Sequence, residues 1–276
     1  MVRDILRFSR LLYLLIVIFS TGGCNVDLSG LFVSTDLDER LKERGNFRFL
    51  NPDDLAPSFG DDYSFIVVGD THIEDGDAHG FERLRGVIEG NKNIKFIVHL
   101  GDITQYGAGS DLDKFIEIAD SFAVPCYPVI GNHDIYFGNW PEWRRRIGST
   151  NYTIKWDGTT LFILDSANSF FGKEQLDRLE REISGELGRV FVFTHANLFV
   201  QGPASIQQIT DTKERARIVS ILRDRCESVF MGHLHHPIEN IAGNVRYVNI
   251  DDFKGTGTYC IVMVSGGEVY YEFKKL

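Results

Sequence analysis

The sequence predicts one α/β domain with a mixed sheet that divides into two packed layers. Two patterns carry that expectation. From residue 64 onward, short β-rich apolar runs alternate with stretches whose apolar residues recur at helical spacing. That alternation implies parallel strands with helices across the sheet faces. After residue 244 the helical stretches end and alternating runs follow one another, as an antiparallel end would. At 276 residues and 43% hydrophobic composition, the chain can bury a core without disulfide staples.

The first residues differ from the rest. "MVRDILRFSR" carries Arg3, Arg7 and Arg10, the apolar block "LLYLLIVIF" (11–19) follows, and small residues lead to Cys24. A basic start, a short apolar core and a small-residue exit form the pattern of a secretory signal. The block is about half the ~20 apolar residues that a membrane-spanning helix needs. "TGGC" (21–24) is similar to a bacterial lipobox, with Thr21 where that motif begins on Leu. The likeness implies that Cys24 is lipidated and becomes the mature N-terminus. The expected organisation is a lipoprotein-type signal peptide over 1–23, a tether or lead-in over 24–60 and the domain over 61–276. A plain cleaved signal and an uncleaved anchor are the alternatives. The expected location is the bacterial cell envelope, with the exported chain anchored to a membrane by lipid.

Within the lead-in, "STDLDERLKERG" (34–45) predicts a short helix, with Ser34 or Thr35 as cap and Gly45 as stop. "NPDDLAPSFGDD" (51–62) is loop-like. Strands follow at "SFIVVGD" (64–70), "NIKFIVHLGD" (93–102) and "CYPVIGNHD" (126–134), with helices near 79–90 and 111–122 between them. In "YTIKWDGTTLFILD" (152–165), Asp157-Gly158 reads as a hairpin turn. Helices near 173–184 and 213–224 frame the strands "VFVFTH" (190–195) and "SVFMGH" (228–233). "VRYVNI", "TYCIVMV" and "EVYYEF" supply the antiparallel end. Apart from Cys24, only Cys126, Cys226 and Cys260 remain, and they form neither a disulfide framework nor a CxxC metal site.

The residues just past the apolar runs are Asp70 and His72, Asp102, Asn132, His133 and Asp134, His195, and His233 and His235. Functional crevices in open α/β sheets lie outside the carboxyl ends of the strands, so these chain-distant residues can converge there. Asp, neutral His and an Asn carbonyl suit borderline divalent metals, and the lack of Cys argues against a structural thiolate zinc site.

The ordered motifs "GDTH", "LGDI", "GNHD", "FTHA" and "GHLH" resemble the calcineurin-like metallophosphoesterase family over roughly 64–236. The resemblance implies an αββα sandwich of two mixed β-sheets flanked by helices. It implies two divalent metal ions (Mn, Fe, Zn, Ni or Co), one held by Asp70, His72 and His235 and the other by Asn132, His195 and His233. Asp102 would bridge them. A metal-bridging hydroxide would attack a phosphomonoester or phosphodiester in line. His133 would act as general acid, oriented by Asp134, and imidazoles titrate close enough to neutrality for that work. The competing reading is a non-catalytic metal-binding envelope protein that uses the fold as a binding platform.

The partner expected is a small phosphate ester. A formal charge of −10 argues against nucleic acid, whose binding rests on cationic contacts to phosphate. His99 is expected in the core or behind the ligands, His79 on a solvated loop or at a helix start, and His236 at the rim. Asp75 and Asp77 lack the spacing of a calcium loop. Trp140 and Trp143 are expected to pack a helix, with a substrate wall as the alternative. Arg144, Arg145 and Arg146 are expected on a solvated face, with a phosphate contact as the alternative. "ANLFVQGPASIQQ" (196–208) is expected to cover the site. A purple acid phosphatase would need a ligating Tyr, for which only Tyr106 is placed.

Overall fold

A computed structural model of the chain describes residues 37–50, 55, 60–156, 158–199 and 208–276. The expected signal with Cys24, the Ser34 and Thr35 caps, Asp157 of the hairpin turn and positions 200–207 of the covering loop lie outside these residues.

Two mixed sheets form the centre. β1 (Tyr63–Val68), β2 (Ile94–His99) and β3 (Cys126–Pro128) run parallel, and β10 (Thr258–Ser265) and β11 (Glu268–Lys275) extend them antiparallel in the order β11-β10-β1-β2-β3. The other sheet has β4 (Tyr152–Trp156), β5 (Thr159–Ile163), β6 (Arg189–Phe193), β7 (Ser228–Met231), β8 (Ile238–Ala242) and β9 (Val245–Asn249) in the order β4-β5-β6-β7-β9-β8. Its four inner strands are parallel and its two outer ones antiparallel.

The period-2 alternation of strand side chains sorts the apolar residues into layers. Phe65, Val67, Phe96 and Val98 of the first sheet cluster with Phe191, Phe193 and Phe230 of the second, and Phe65 stacks on Phe96 at 4.6 Å. Ile66, Val68 and Ile97 lie on the opposite face. There they pack with residues of α2 (Leu84–Gly90), α3 (Gly109–Asp120) and α4 (Trp140–Arg146). On the second sheet, Phe162, Val192 and Val229 pack against α5 (Lys173–Ile183) and α6 (Thr212–Leu222). The order is helix, sheet, sheet, helix, which is the expected αββα sandwich. Because both faces are covered, all six residues of β1 are buried, as parallel strands require.

Three details differ from expectation. The run "VRYVNI" (β9) pairs antiparallel with β8 but parallel with β7, so it belongs to the second sheet, whereas β10 and β11 join the first. β8 was not foreseen, because its intermediate-exposed pattern lacks a buried apolar core. The lead-in is not a tether throughout: in α1 (Leu37–Leu41) both Leu37 and Arg40 are fully buried. The Arg40 guanidinium makes a two-pronged pair with Asp165 at 2.7 and 2.8 Å. Among the described residues, no helix is long and apolar enough to cross a membrane. Cys126, Cys226 and Cys260 are buried and unpaired.

Removing one partner of a buried ion pair strands the other, at a cost of about 3–5 kcal/mol. Arg40→Ala should therefore destabilise the domain by that amount in urea unfolding. Arg44→Ala, which breaks an exposed pair with Glu182, should cost ~1 kcal/mol or less. Equal, small losses would mean that α1 is not part of the cooperative unit.

Candidate metal centre

The parallel strands deliver their following residues to one edge of each sheet. Asp70 and His72 follow β1, Asp102 follows β2, Asn132 to Asp134 follow β3, His195 follows β6, and His233 and His235 follow β7. The backbone there is unusual. Asp70 (φ 55°), His72 (45°), Asp102 (50°), His233 (72°) and His235 (48°) all take left-handed conformations. Such conformations cost of order 1–3 kcal/mol each in a non-glycine residue and concentrate at functional sites. The motif glycines permit close approach. A Cβ at Gly131 would lie 2.2 Å from both the amide nitrogen and Oδ1 of Asp102, and one at Gly232 would lie 2.7 Å from Asp70 Oδ2.

Among the described residues, three groups could each hold a cation: one is His72, Asp102 and His133, and the remaining two divide most of the expected ligands between them. Asp70, His72 and His235 form one, with His235 Nε2 3.3 Å from Asp70 Oδ1 and 3.3 Å from His72 Nε2. Asp102, His195 and His233 form the other, with His195 Nε2 3.1 Å from His233 Nδ1 and 3.0 Å from Asn132 Oδ1. Asp102 Oδ2 lies 3.2 Å from His195 Nε2 and 3.9 Å from His72 Nε2, so one carboxylate oxygen stands between the groups. Pairs of imidazole nitrogens facing each other beside carboxylates fit borderline divalent cations better than they fit one another.

Burial works against charge here, and the neighbours decide each case. Burial lowers His72 to about 4 against the pull of Asp102. It lowers His233 to about 3, with His195 adding to the effect, so both are neutral donors. For His195, burial is outweighed by the Asp102 carboxylate, which raises it to about 9. For His235, burial is likewise outweighed by its hydrogen bond to Asp70, and it rises to about 9. Asp102 stays well below the usual carboxylate range despite burial, chiefly through His195. Asp70 is also lowered despite burial, chiefly through its hydrogen bond to His235.

Groups with no obvious sequence signature aim these side chains. His195 Nδ1 donates to the Leu100 carbonyl at 2.9 Å, which leaves Nε2 for the centre. Tyr136 Oη accepts from Asn132 Nδ2, which turns Oδ1 inward. Asn249, at the end of β9, accepts from Asn197 Nδ2 and donates to the His236 carbonyl, bracing the loops after β6 and β7. His133 donates from Nδ1 to the Gln105 carbonyl at 2.8 Å, and its Nε2 lies 3.9 Å from Asp102 Oδ2. Asp134 does not orient His133 as expected. Its carboxylate accepts from Thr104 N and Oγ1 and from Gly131 N, which clamps the loop after β2 to the loop after β3. Burial and the nearby Asp102 push Asp134 up to about 7.

The remaining candidates sort clearly. His99 is fully buried, its Nε2 3.0 Å from Thr71 Oγ1. His79 is more engaged than a solvated residue, because its Nε2 donates to the His72 carbonyl at 3.2 Å. His236, Asp75 and Asp77 are exposed. Trp140 and Trp143 are buried in the core and form no substrate wall. Arg144, Arg145 and Arg146 pair with Glu43, Glu142 and Asp113, so each already has an acidic partner in place of a phosphate. Tyr106 is exposed, with its ring beside Phe137.

The sequence profile described as calcineurin-like phosphoesterase matches residues 63–237. A relative from Fibrobacter succinogenes, named "Probable cyclic nucleotide phosphodiesterase", is 28% identical over 160 residues. That match spans 53% of this chain and 60% of the relative's length. The fold is similar to that of a dimetal phosphatase from Danio rerio, with TM-score 0.59 and 15% identity over 76% of this chain and 98% of that one. It is also similar to a purple acid phosphatase from yellow lupin seeds, with TM-score 0.62 and 12% identity over 79% of this chain and 52% of that one.

Divalent cations bind neutral imidazole, so a cation must displace the protons that Asp102 and Asp70 hold on His195 and His235. Calorimetric titration with Mn(II) in buffers of different ionisation enthalpy should show release of about two protons at pH 7. Affinity should rise as pH approaches about 9, where those histidines lose their protons unaided. Binding with no proton release would contradict this assignment of charge.

Proposed function

The chain belongs to the calcineurin-like phosphoesterase family, and on that premise we propose a dinuclear metal-dependent phosphoesterase that hydrolyses a phosphomonoester or phosphodiester by in-line attack. The observation that carries the reading is the position of Asp102, whose Oδ2 stands between His72 and His195. Asp70, His72 and His235 would hold one cation, Asn132, His195 and His233 the second, and Asp102 would touch both. Such a pair supplies a nucleophile from water at neutral pH and neutralises charge on the attacking and leaving oxygens. The ions compatible with these donors are Mn, Fe, Zn, Ni and Co. The relative's name favours a phosphodiester substrate.

In this reading His133 donates the proton that the departing alkoxide needs. The Gln105 carbonyl takes Nδ1, so the proton available for transfer is carried on Nε2, on the side of Asp102. Asp134 acts one step away, by fixing the loops that carry His133 and Asp102.

His133→Ala should reduce kcat by about 10²–10⁴-fold on esters with alkoxide leaving groups, the usual worth of a positioned acid. The loss should be much smaller on a p-nitrophenyl ester, whose leaving group needs no proton, and the metal content should not change. Equal losses on both substrates would remove the acid role. For location, we propose export and lipid anchoring through Cys24, on the N-terminal pattern alone. Cys24→Ser should release the protein from the membrane fraction, and unchanged fractionation would overturn the anchor.

A further inference from the structure

We propose that Ser166, in the loop after β5, is a positioning residue for His195, and that the lead-in helix α1 reaches the metal centre through it. The inference rests on the two-cation reading above and adds to it a control on one cation site. What holds His195 sets the affinity for the ion that His195 takes, and not for the other.

β5 and β6 are parallel neighbours, so their following loops lie side by side at the edge where the candidate ligands gather. The loop after β5 carries none of the expected ligands. It carries Asp165 and Ser166, which are 0% and 1% exposed. Ser166 Oγ accepts from Thr194 Oγ1 at 2.8 Å and from the Ala196 amide at 2.8 Å. One oxygen thus holds both the residue before His195 and the residue after it. Asp165 fixes that oxygen in turn. The Gln175 side chain of α5 accepts from the Asp165 amide at 2.9 Å and donates to the Asp165 carbonyl at 2.7 Å. Arg40 of α1 grips the carboxylate with its fork, and the same carboxylate takes the Ala167 amide at 3.1 Å. Both chain neighbours of Ser166 are therefore tied down.

His195 needs such a brace more than the other ligands do. Asp70, Asp102, Asn132 and His233 each directly follow a glycine, and three of them are aimed by a left-handed turn of their own backbone. His195 has neither device: Thr194 precedes it, and its φ is not positive. The Leu100 carbonyl sets how the imidazole turns, while the Ser166 contacts set where its Cα stands. Thr194, Ala196 and Ser166 are all buried, so water cannot replace an acceptor that is removed. Asp70, His72 and His235 come from the loops after β1 and β7, and β6 lies between β7 and β5. The brace accordingly acts on one group of ligands.

The test titrates the full chain with Mn(II) by calorimetry, with His195→Ala marking the binding step that belongs to the His195 site. Ser166→Ala should weaken that step by roughly 10- to 100-fold, the usual worth of an outer partner, and leave the other step within about twofold. Thr194→Val drops one of the two hydrogen bonds and should lose less in the same step. Thr194→Ser keeps the hydroxyl and should restore wild-type affinity. Arg40→Lys keeps the charge, loses the fork and should weaken the same step. Equal weakening of both steps, or a fall in Tm with both affinities unchanged, would show a purely structural role and overturn the inference. An unchanged His195 step in Arg40→Lys would overturn the part given to α1. A wild type that binds two ions and hydrolyses no phosphate ester would overturn the phosphoesterase reading and leave the brace standing. A wild type that binds fewer than two ions would overturn both.

Discussion

The structure depends on keeping ionised carboxylates out of water. Asp70 and Asp102 are buried to 0% and 1% exposure at the point where the two sheets deliver their strand ends. An isolated buried carboxylate is strongly disfavoured, so each needs cationic or donor neighbours at close range. His235 and His195 supply them at 3.3 and 3.2 Å, and backbone donors complete the set: the His233 amide reaches Asp70 and the His133 amide reaches Asp102. Much else in the crevice follows from this requirement. The left-handed turns at Asp70, Asp102 and His233 bring those donors round, and Gly131 and Gly232 let the chains pass close enough.

The sandwich makes the arrangement rigid. Parallel strands with a common edge point their following loops into one crevice, and interleaved Phe65, Phe96, Phe193 and Phe230 fix the two sheets against each other. Close-packed aromatic cores deform little, so strain in the loops cannot relax by shifting the strands. Braces then join loop to loop. Asp134 ties the loop after β2 to that after β3, and Asn249 ties the loops after β6 and β7. These residues act through position and touch none of the expected chemistry.

The layers of the fold and the convergence of the candidate side chains were legible because β1, β2, β3 and β7 each run into a glycine followed directly by a metal-binding residue type, and β6 runs into Thr194-His195. The run "IVVGD" announces both a buried strand and what it presents. What was not legible is tertiary. Leu100 and Gln105 act through backbone carbonyls, which leave no trace in side-chain type. Tyr136 reads as an ordinary aromatic until Asn132 is seen to donate to it. Arg40 finds Asp165 across 125 residues, so a segment that looks like a charged lead-in is part of the core. The partner sheet of β9 depends on where β7 already lies, and local alternation carries no such information.

The central claim is that one carboxylate, Asp102, serves two cations at once. Anomalous diffraction from crystals grown with Mn(II) tests it most directly. The account predicts two peaks ~3.5–4 Å apart, with an Asp102 oxygen in contact with both. A single peak, or two peaks of which Asp102 touches only one, would contradict it.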